Sequence, residues 1–471
     1  MISERHIPPR AGLLSAMLFV AVAVCVGYLV ATNPLVAFAC IAFGLLLVVG
    51  KRWPGLGALA VLIIATNSVP FVNLRGGFGG VSGVDVGAVL AVLYWLMWPK
   101  ERFWGLRANN IARGLLVFTG FWVLQVLRSV IVDGIPPTQA LLYGRAFAFA
   151  LPAFLMVVSL SHREVRRLSV GIMVWGSLFS IAYIGQAMGR LNGEFLVHSL
   201  SVRPGVLGVV RIYSLGVELA ILALFLSVGV VARWHRSAGR SAAWLIVMLT
   251  GVQVVLQLSR GLMIVLPAAM LIVLILDSLR RPQTRSLWTG LPGWLVVSAI
   301  AILAWGSVLS QAYEIVQIRL ISAAQDVGTL GGNFGYRVDI VDSMVAALGG
   351  YWPVGLGFLH PEVKPVSSLP SGSLINADLG MFSMLMTMGL LCVVLWWAIE
   401  VAGIRLALRD EMIGTNGFIA IGCAAWLVYG LLASPTILPS PLVTGAVLGS
   451  LVALSGGIEE SLSPDTVGEG I

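Results

Sequence analysis

The chain has little charge and few cysteines: charged residues make up 11% of its 471 positions, and cysteine occurs four times. Charge this sparse excludes an ordinary soluble domain, in which about a quarter of the residues are charged. Cys25, Cys40, Cys392 and Cys423 all lie within apolar stretches, and no two share a short motif. They give no sign of a disulfide framework or a cysteine metal site and fit cysteine as a small membrane hydrophobe. Internal repeats, heptads and a soluble domain at either end are also missing. No small-residue cleavage site follows the first apolar stretch, so residues 12–31 read as a signal anchor. The apolar runs do not alternate with polar residues, which excludes barrel strands.

What remains is a sequence that is 58% hydrophobic. A bilayer is crossed by helices of about 20 apolar residues, because every backbone polar group must be satisfied within the segment. The expected fold is therefore an all-α polytopic membrane protein of about 12–14 transmembrane helices. The spans are read at 12–31, 34–50, 55–70, 82–98, 113–131, 138–160, 168–188, 212–232, 242–258, 261–277, 288–309, 379–401, 416–434 and 440–456. The ninth and tenth are short enough to be partly re-entrant. Residues 1–457 form one integral membrane domain, and 458–471 a polar, acidic, disordered tail.

Threading these spans alternately through a bilayer puts 19 of the 29 Lys and Arg in the short connections on one side. That is the positive-inside pattern, and it places both termini in the cytoplasm of a cell whose cytoplasmic membrane holds the protein. The net charge of +8 is thereby explained by topology, and no nucleic-acid partner is required. The other ten cations lie outside. Arg75, Arg128 and Arg190 read as interfacial anchors, whereas Arg203, Arg211, Arg260 and Arg337 look placed to hold an anion.

The outside connections stay short until 310–378, a loop of 69 residues. Loops of this length tend to be functional. Segments 312–325 and 336–349 carry apolar residues at helical spacing and are expected to lie flat at the outer interface, flanked by glycines.

Arg211 opens the eighth span, and Glu218 follows two turns along the same helix face. A charged residue in a span costs roughly 2.5–3.5 kcal/mol and is a functional candidate, although Arg211 snorkelling to headgroups and Glu218 pairing with a neighbouring helix would also account for them. Arg260, between Ser259 and Gly261, sits at the apex of an outside hairpin; an interfacial anchor is its plainer role. Arg337 begins the second loop helix, with Tyr336 beside it. Asp339 and Asp342 behind it share a face and read as a solvated surface rather than metal ligands. Asp378, after Asn376, can cap the twelfth span or serve as a general base at the membrane surface. His360 and His198 are the outside histidines. Guanidinium groups bind phosphate in a bidentate way and stay charged, so this cluster suits the charge that builds on a departing pyrophosphate.

The order of these elements resembles the O-antigen ligase and O-antigen polymerase superfamily of bacterial envelope enzymes. The resemblance rests on Arg211, Ser259-Arg260-Gly261, Arg337, Pro353-Val354-Gly355-Leu356-Gly357, Asn376-Ala377-Asp378 and Gly389-Leu390, over roughly residues 205–400. It implies a GT-C-like helical bundle that transfers or polymerises a glycan from an undecaprenyl-pyrophosphate-type donor onto a hydroxyl of a glycan or lipid acceptor. It also implies work at the outer face of the bacterial cytoplasmic membrane with no metal and no cofactor. Arg203, Arg211, Arg260 and Arg337 would hold the pyrophosphate; Arg337 and Asp378 or His360 would be catalytic. Where ligases carry a histidine eleven residues before the span's glycine, this chain has Asp378. The alternative is a flippase for lipid-linked oligosaccharide with a cationic cavity. Against it stand the long loop and the lack of any sequence sign of the broken helices of ion-coupled carriers. A non-catalytic envelope scaffold leaves the outside arginines unexplained.

Overall fold

The computed structural model describes residues 50–66, 68, 82–97, 109–191, 202–203, 211–212, 216–233, 237–257, 259–280, 310, 314, 317–318, 321, 325, 332–358, 380–409, 412, 416–433 and 440–461. The spans expected at 12–31, 34–50 and 288–309 lie outside these residues, apart from residue 50.

Helix starts follow local capping chemistry. α1 (Pro54–Ala65) and α4 (Pro137–Ala148) begin on proline, whose fixed φ and missing N–H suit a first turn. α2 (Gly83–Leu96) is capped by Ser82, whose N–H donates to Asp85 Oδ2 at 2.6 Å. α3 (Asn110–Ile131) is capped by the Asn109 side chain, which accepts the Ile111 N–H at 2.9 Å. α4 and α5 (Ala150–Val158) form one segment bent by 41°, where a single sixth span was expected. α6 (His162–Ala187) starts at Ser161.

A two-stranded antiparallel pair, β1 (Val202–Arg203) and β2 (Arg211–Ile212), precedes α7 (Val217–Arg233). Then follow α8 (Ser237–Leu256), α9 (Arg260–Arg280), α10 (Gly332–Leu348) with a 3₁₀ turn at Gly349–Tyr351, α11 (Met381–Ala407), α12 (Gly417–Leu432) and α13 (Pro441–Ser461). Among the described residues, α3, α6, α8, α9 and α11 are each long and apolar enough to cross a membrane, and the bent α4–α5 pair makes six. The architecture is that of a helical multi-pass membrane protein. The ninth and tenth spans, read as short enough to be partly re-entrant, are α8 and α9, which at 20 and 21 residues are long enough to cross. α13 runs to Ser461, into the segment expected to be a disordered tail.

α7 is the central helix: every residue from Leu219 to Ser227 is buried, and it packs on α6, α8 and α12. Small residues let these helices approach. A Cβ on Gly229 would collide with the Phe418 carbonyl, and one on Gly422 would meet Leu226 Cα at 2.7 Å.

Contacts between helix ends fall into two sets. On one face Gly55 N–H donates to Glu164 Oε2 (2.8 Å), while Glu164 Oε1 pairs with Arg167; Arg233 pairs with Asp277; Arg280 donates to the Leu408 carbonyl (3.1 Å). All these ends were expected on the cytoplasmic side. On the opposite face the ends expected outside meet one another. Gly216 packs on Ser68, Asp85 pairs with Arg145 (3.0 Å), and the end of α3 grips residues 354–358. The two sets correspond to the alternating order of the spans.

Candidate functional site

The best-defined feature on the second face is a break in α11. Gly389 has φ 80° and ψ 174°, a conformation essentially confined to glycine, and it interrupts the helical ladder. Residues 352–358 fill the gap. Leu356 N–H donates to the Met386 carbonyl (2.7 Å) and Gly357 N–H to that of Thr387 (3.0 Å). In return Leu390 N–H donates to the Trp352 carbonyl (2.8 Å) and Leu391 N–H to that of Pro353 (3.2 Å). The loop thus supplies the partners that a continuous helix would have supplied, as an interrupted span in lipid requires.

Glycine is needed on both sides of this joint. A Cβ on Gly355 would meet Gly389 N at 2.6 Å, and one on Gly389 would meet Gly355 N at 2.5 Å. Gly355 also has φ 72° and Gly357 φ 84°. The Pro353–Gly357 turn and the Gly389–Leu390 pair, two separate motifs in the sequence, are therefore one structural element.

α3 and α4 complete the mount. Gln125 Nε2 donates to the Val354 carbonyl (2.6 Å), Arg128 Nη1 to the Gly355 carbonyl (2.7 Å), and Phe358 N–H to Ser129 Oγ (2.8 Å). The Arg128 guanidinium also lies 5.4 Å from the Tyr351 ring centroid. Phe358 is fully buried, its ring against Gly144 and stacked on Phe147 at 5.8 Å. Arg128 was expected to be an interfacial anchor; it is instead built into this joint. Only its outside position marked it in the sequence, because its partners are backbone carbonyls more than 200 positions away.

The expected site residues fall as follows. Arg203 and Arg211 stand directly opposite one another in the β1–β2 register, the one pair of candidate cations that the described residues bring together. Arg211 was expected on the eighth span, sharing a helix face with Glu218. It does not, because Gly216 (φ 93°) precedes a helix that starts at Val217. Glu218 lies in the first turn of α7, half-buried, and its Oε2 accepts the Gly216 N–H (3.1 Å), a helix-start role. Arg260 is the first residue of α9, after the short Gln257–Ser259 connection expected from the sequence. Arg337 and Tyr336 lie in α10, which begins earlier than expected, at Gly332. The side chains of Arg203, Arg211, Arg260, Arg337 and Tyr336 lie outside the described residues, as do His198, His360, Asn376 and Asp378 altogether.

α10 meets the bundle through Val341, Met344 and Leu348, one helical face, while Asp339 and Asp342 are exposed. In the expected helix 312–325, the described positions 314, 317, 318, 321 and 325 are helical and exposed. Among the described residues, no group of three or more His, Cys, Asp or Glu is placed to hold a metal ion. Comparison with models of protein families and with curated proteins gives no match to this sequence.

Proposed function

We propose that the chain is a membrane glycosyltransferase with a GT-C-like bundle. It would transfer or polymerise a glycan from an undecaprenyl-pyrophosphate-type donor onto an acceptor hydroxyl at the outer face of a bacterial cytoplasmic membrane. The observation that carries this reading is the joint. Two of the motifs on which the resemblance to O-antigen ligases and polymerases rests, Pro353–Gly357 and Gly389–Leu390, prove mutually dependent. The joint also fixes the connection between the Arg337 helix and the segment that leads to Asp378.

The chemistry follows from the charges. The β1–β2 register puts Arg203 directly opposite Arg211, and two cations at paired strand positions would favour an anion as a common partner. With Arg260 and Arg337 they would neutralise the departing pyrophosphate. Asp378 or His360 would take the acceptor proton. In purified protein supplied with lipid-linked glycan and acceptor, Arg260→Ala and Arg337→Ala are each expected to cut product formation by about 10²-fold or more. Wild-type rates in both variants would remove the transferase reading.

One observation favours the transporter alternative. α11 is a broken span and α4–α5 is bent by 41°, where no broken helices were expected. A flippase would move labelled lipid-linked sugar across vesicles without forming a glycosidic bond, and that assay separates the two.

A further inference from the structure

We infer that Arg128 is itself an anion-binding residue, taking a phosphate oxygen of a lipid at the second face of the bundle. The residue is half-buried at the end of α3, yet among the described residues none of its contacts is with a carboxylate. Its neutral partners are the Gly355 carbonyl (2.7 Å), the Val354 carbonyl at the longer 3.5 Å, and the Tyr351 ring. Both hydrogen bonds come from Nη1, so Nε and Nη2 keep their donors for another acceptor.

Three other cations in helix-end contacts make the contrast, while Arg280, which also meets a carbonyl, is exposed. Arg167 pairs with Glu164, Arg233 with Asp277 and Arg145 with Asp85. A half-buried guanidinium whose described partners are all neutral keeps its full charge for an anion, beyond the helix C-terminus it already favours. Arg128 is moreover held rigid from both sides, since the carbonyl it grips belongs to the loop locked into the α11 break. A cation fixed in place loses little entropy when it meets a second ligand. The remaining donors of a planar guanidinium fit a phosphate oxygen better than a neutral partner. Phosphate could arrive as the diphosphate of an isoprenoid donor or as an anionic phospholipid headgroup. The inference rests on the proposed function only for the first of these sources.

The test uses the purified full-length chain and three probes: undecaprenyl pyrophosphate, nanodiscs of phosphatidylglycerol, and nanodiscs of phosphatidylcholine as reference. The variant Arg128→Gln keeps an N–H for the Gly355 carbonyl and removes the charge, whereas Arg128→Lys keeps a charge without the fork. R128Q is expected to retain the wild-type unfolding midpoint and to bind the anionic probe at least about tenfold more weakly, with R128K in between. Loss confined to undecaprenyl pyrophosphate assigns the isoprenoid donor; loss confined to phosphatidylglycerol assigns a headgroup. Wild-type affinity of R128Q for both anionic probes overturns the inference and leaves Arg128 as a clamp on the loop. If R128Q does not fold, phenylglyoxal labelling of Arg128 in the wild-type chain, read by peptide mass, decides instead. Protection by either anionic probe supports the site, and unchanged labelling overturns it. No step involves glycosyl transfer, so a chain that binds through Arg128 but makes no product would sink the transferase reading alone.

Discussion

The two faces of the bundle are held together by different means. On the Glu164 face two of three cations are matched with carboxylates: Glu164 serves both Arg167 and the Gly55 N–H, Arg233 is joined to a nearly buried Asp277, and Arg280 donates to the Leu408 carbonyl. On the Arg128 face the joint is made of backbone and glycine: four peptide hydrogen bonds and two interlocked glycines fix the loop in α11. Arg128 spends one nitrogen on that joint and, among the described residues, none on a carboxylate. The Arg128 face has an ion pair of its own, Arg145 with Asp85, so the difference lies in the joint: one tied by ion pairs commits its charges, whereas one tied by backbone can leave a cation such as Arg128 for a ligand.

That contrast can be broken most severely at the joint. Gly389→Ala forces a side chain into glycine-only backbone space and against the Pro353 carbonyl and Gly355 N. The expected loss is about 4 kcal/mol or more of stability, read as the unfolding midpoint in detergent. An unchanged midpoint would mean that the loop does not occupy the break. Asp277→Ala attacks the other face by stranding Arg233 and should cost about 3 kcal/mol. The double variant R233M/D277L should recover most of it, because removing both charges leaves neither unpaired. If the single and double variants are equally unstable, the pair is not what holds that face. The smallest effect belongs to Asp85→Ala, which removes the α2 cap and the partner of Arg145, a loss of about 1 kcal/mol. Arg145→Gln, which leaves the cap intact, should cost less, and a thermal scan of the two variants side by side checks the order.

Much of this fold could be read ahead of the structure because it is written locally. The apolar runs located most of these helices, and their starts are set by local chemistry, at Ser82 with Asp85, Asn109, Ser161, Pro54 and Pro137, that hydropathy alone does not read. The order of the apolar spans implied an alternation that the helix-end contacts follow. What escaped was non-local or concealed in a single dihedral angle. The left-handed Gly216 moves Arg211 off the helix that a hydropathy pattern extends through it. The break at Gly389 has no local signature, since an isolated glycine in an apolar helix is common. Its meaning comes from Gly355, 34 positions earlier. Arg128 looked like an ordinary anchor because its partners are carbonyls, which every residue has. Of the arginines proposed to hold an anion, Arg203 and Arg211 were expected to share a site but not as partners in a strand pair, and α10 carries Arg337 as expected.

The α11 joint also constrains how the protein is made. Residues 352–358 leave the ribosome before Met381–Ala407, so the strap exists before the span it completes. When α11 enters the bilayer, its interrupted ladder would face lipid unless that strap, already gripped by the end of α3, is there to receive it. Membrane insertion of α11 is therefore an assembly step as well as a partitioning step. A chain delivered with α11 alone should insert poorly, however apolar its sequence.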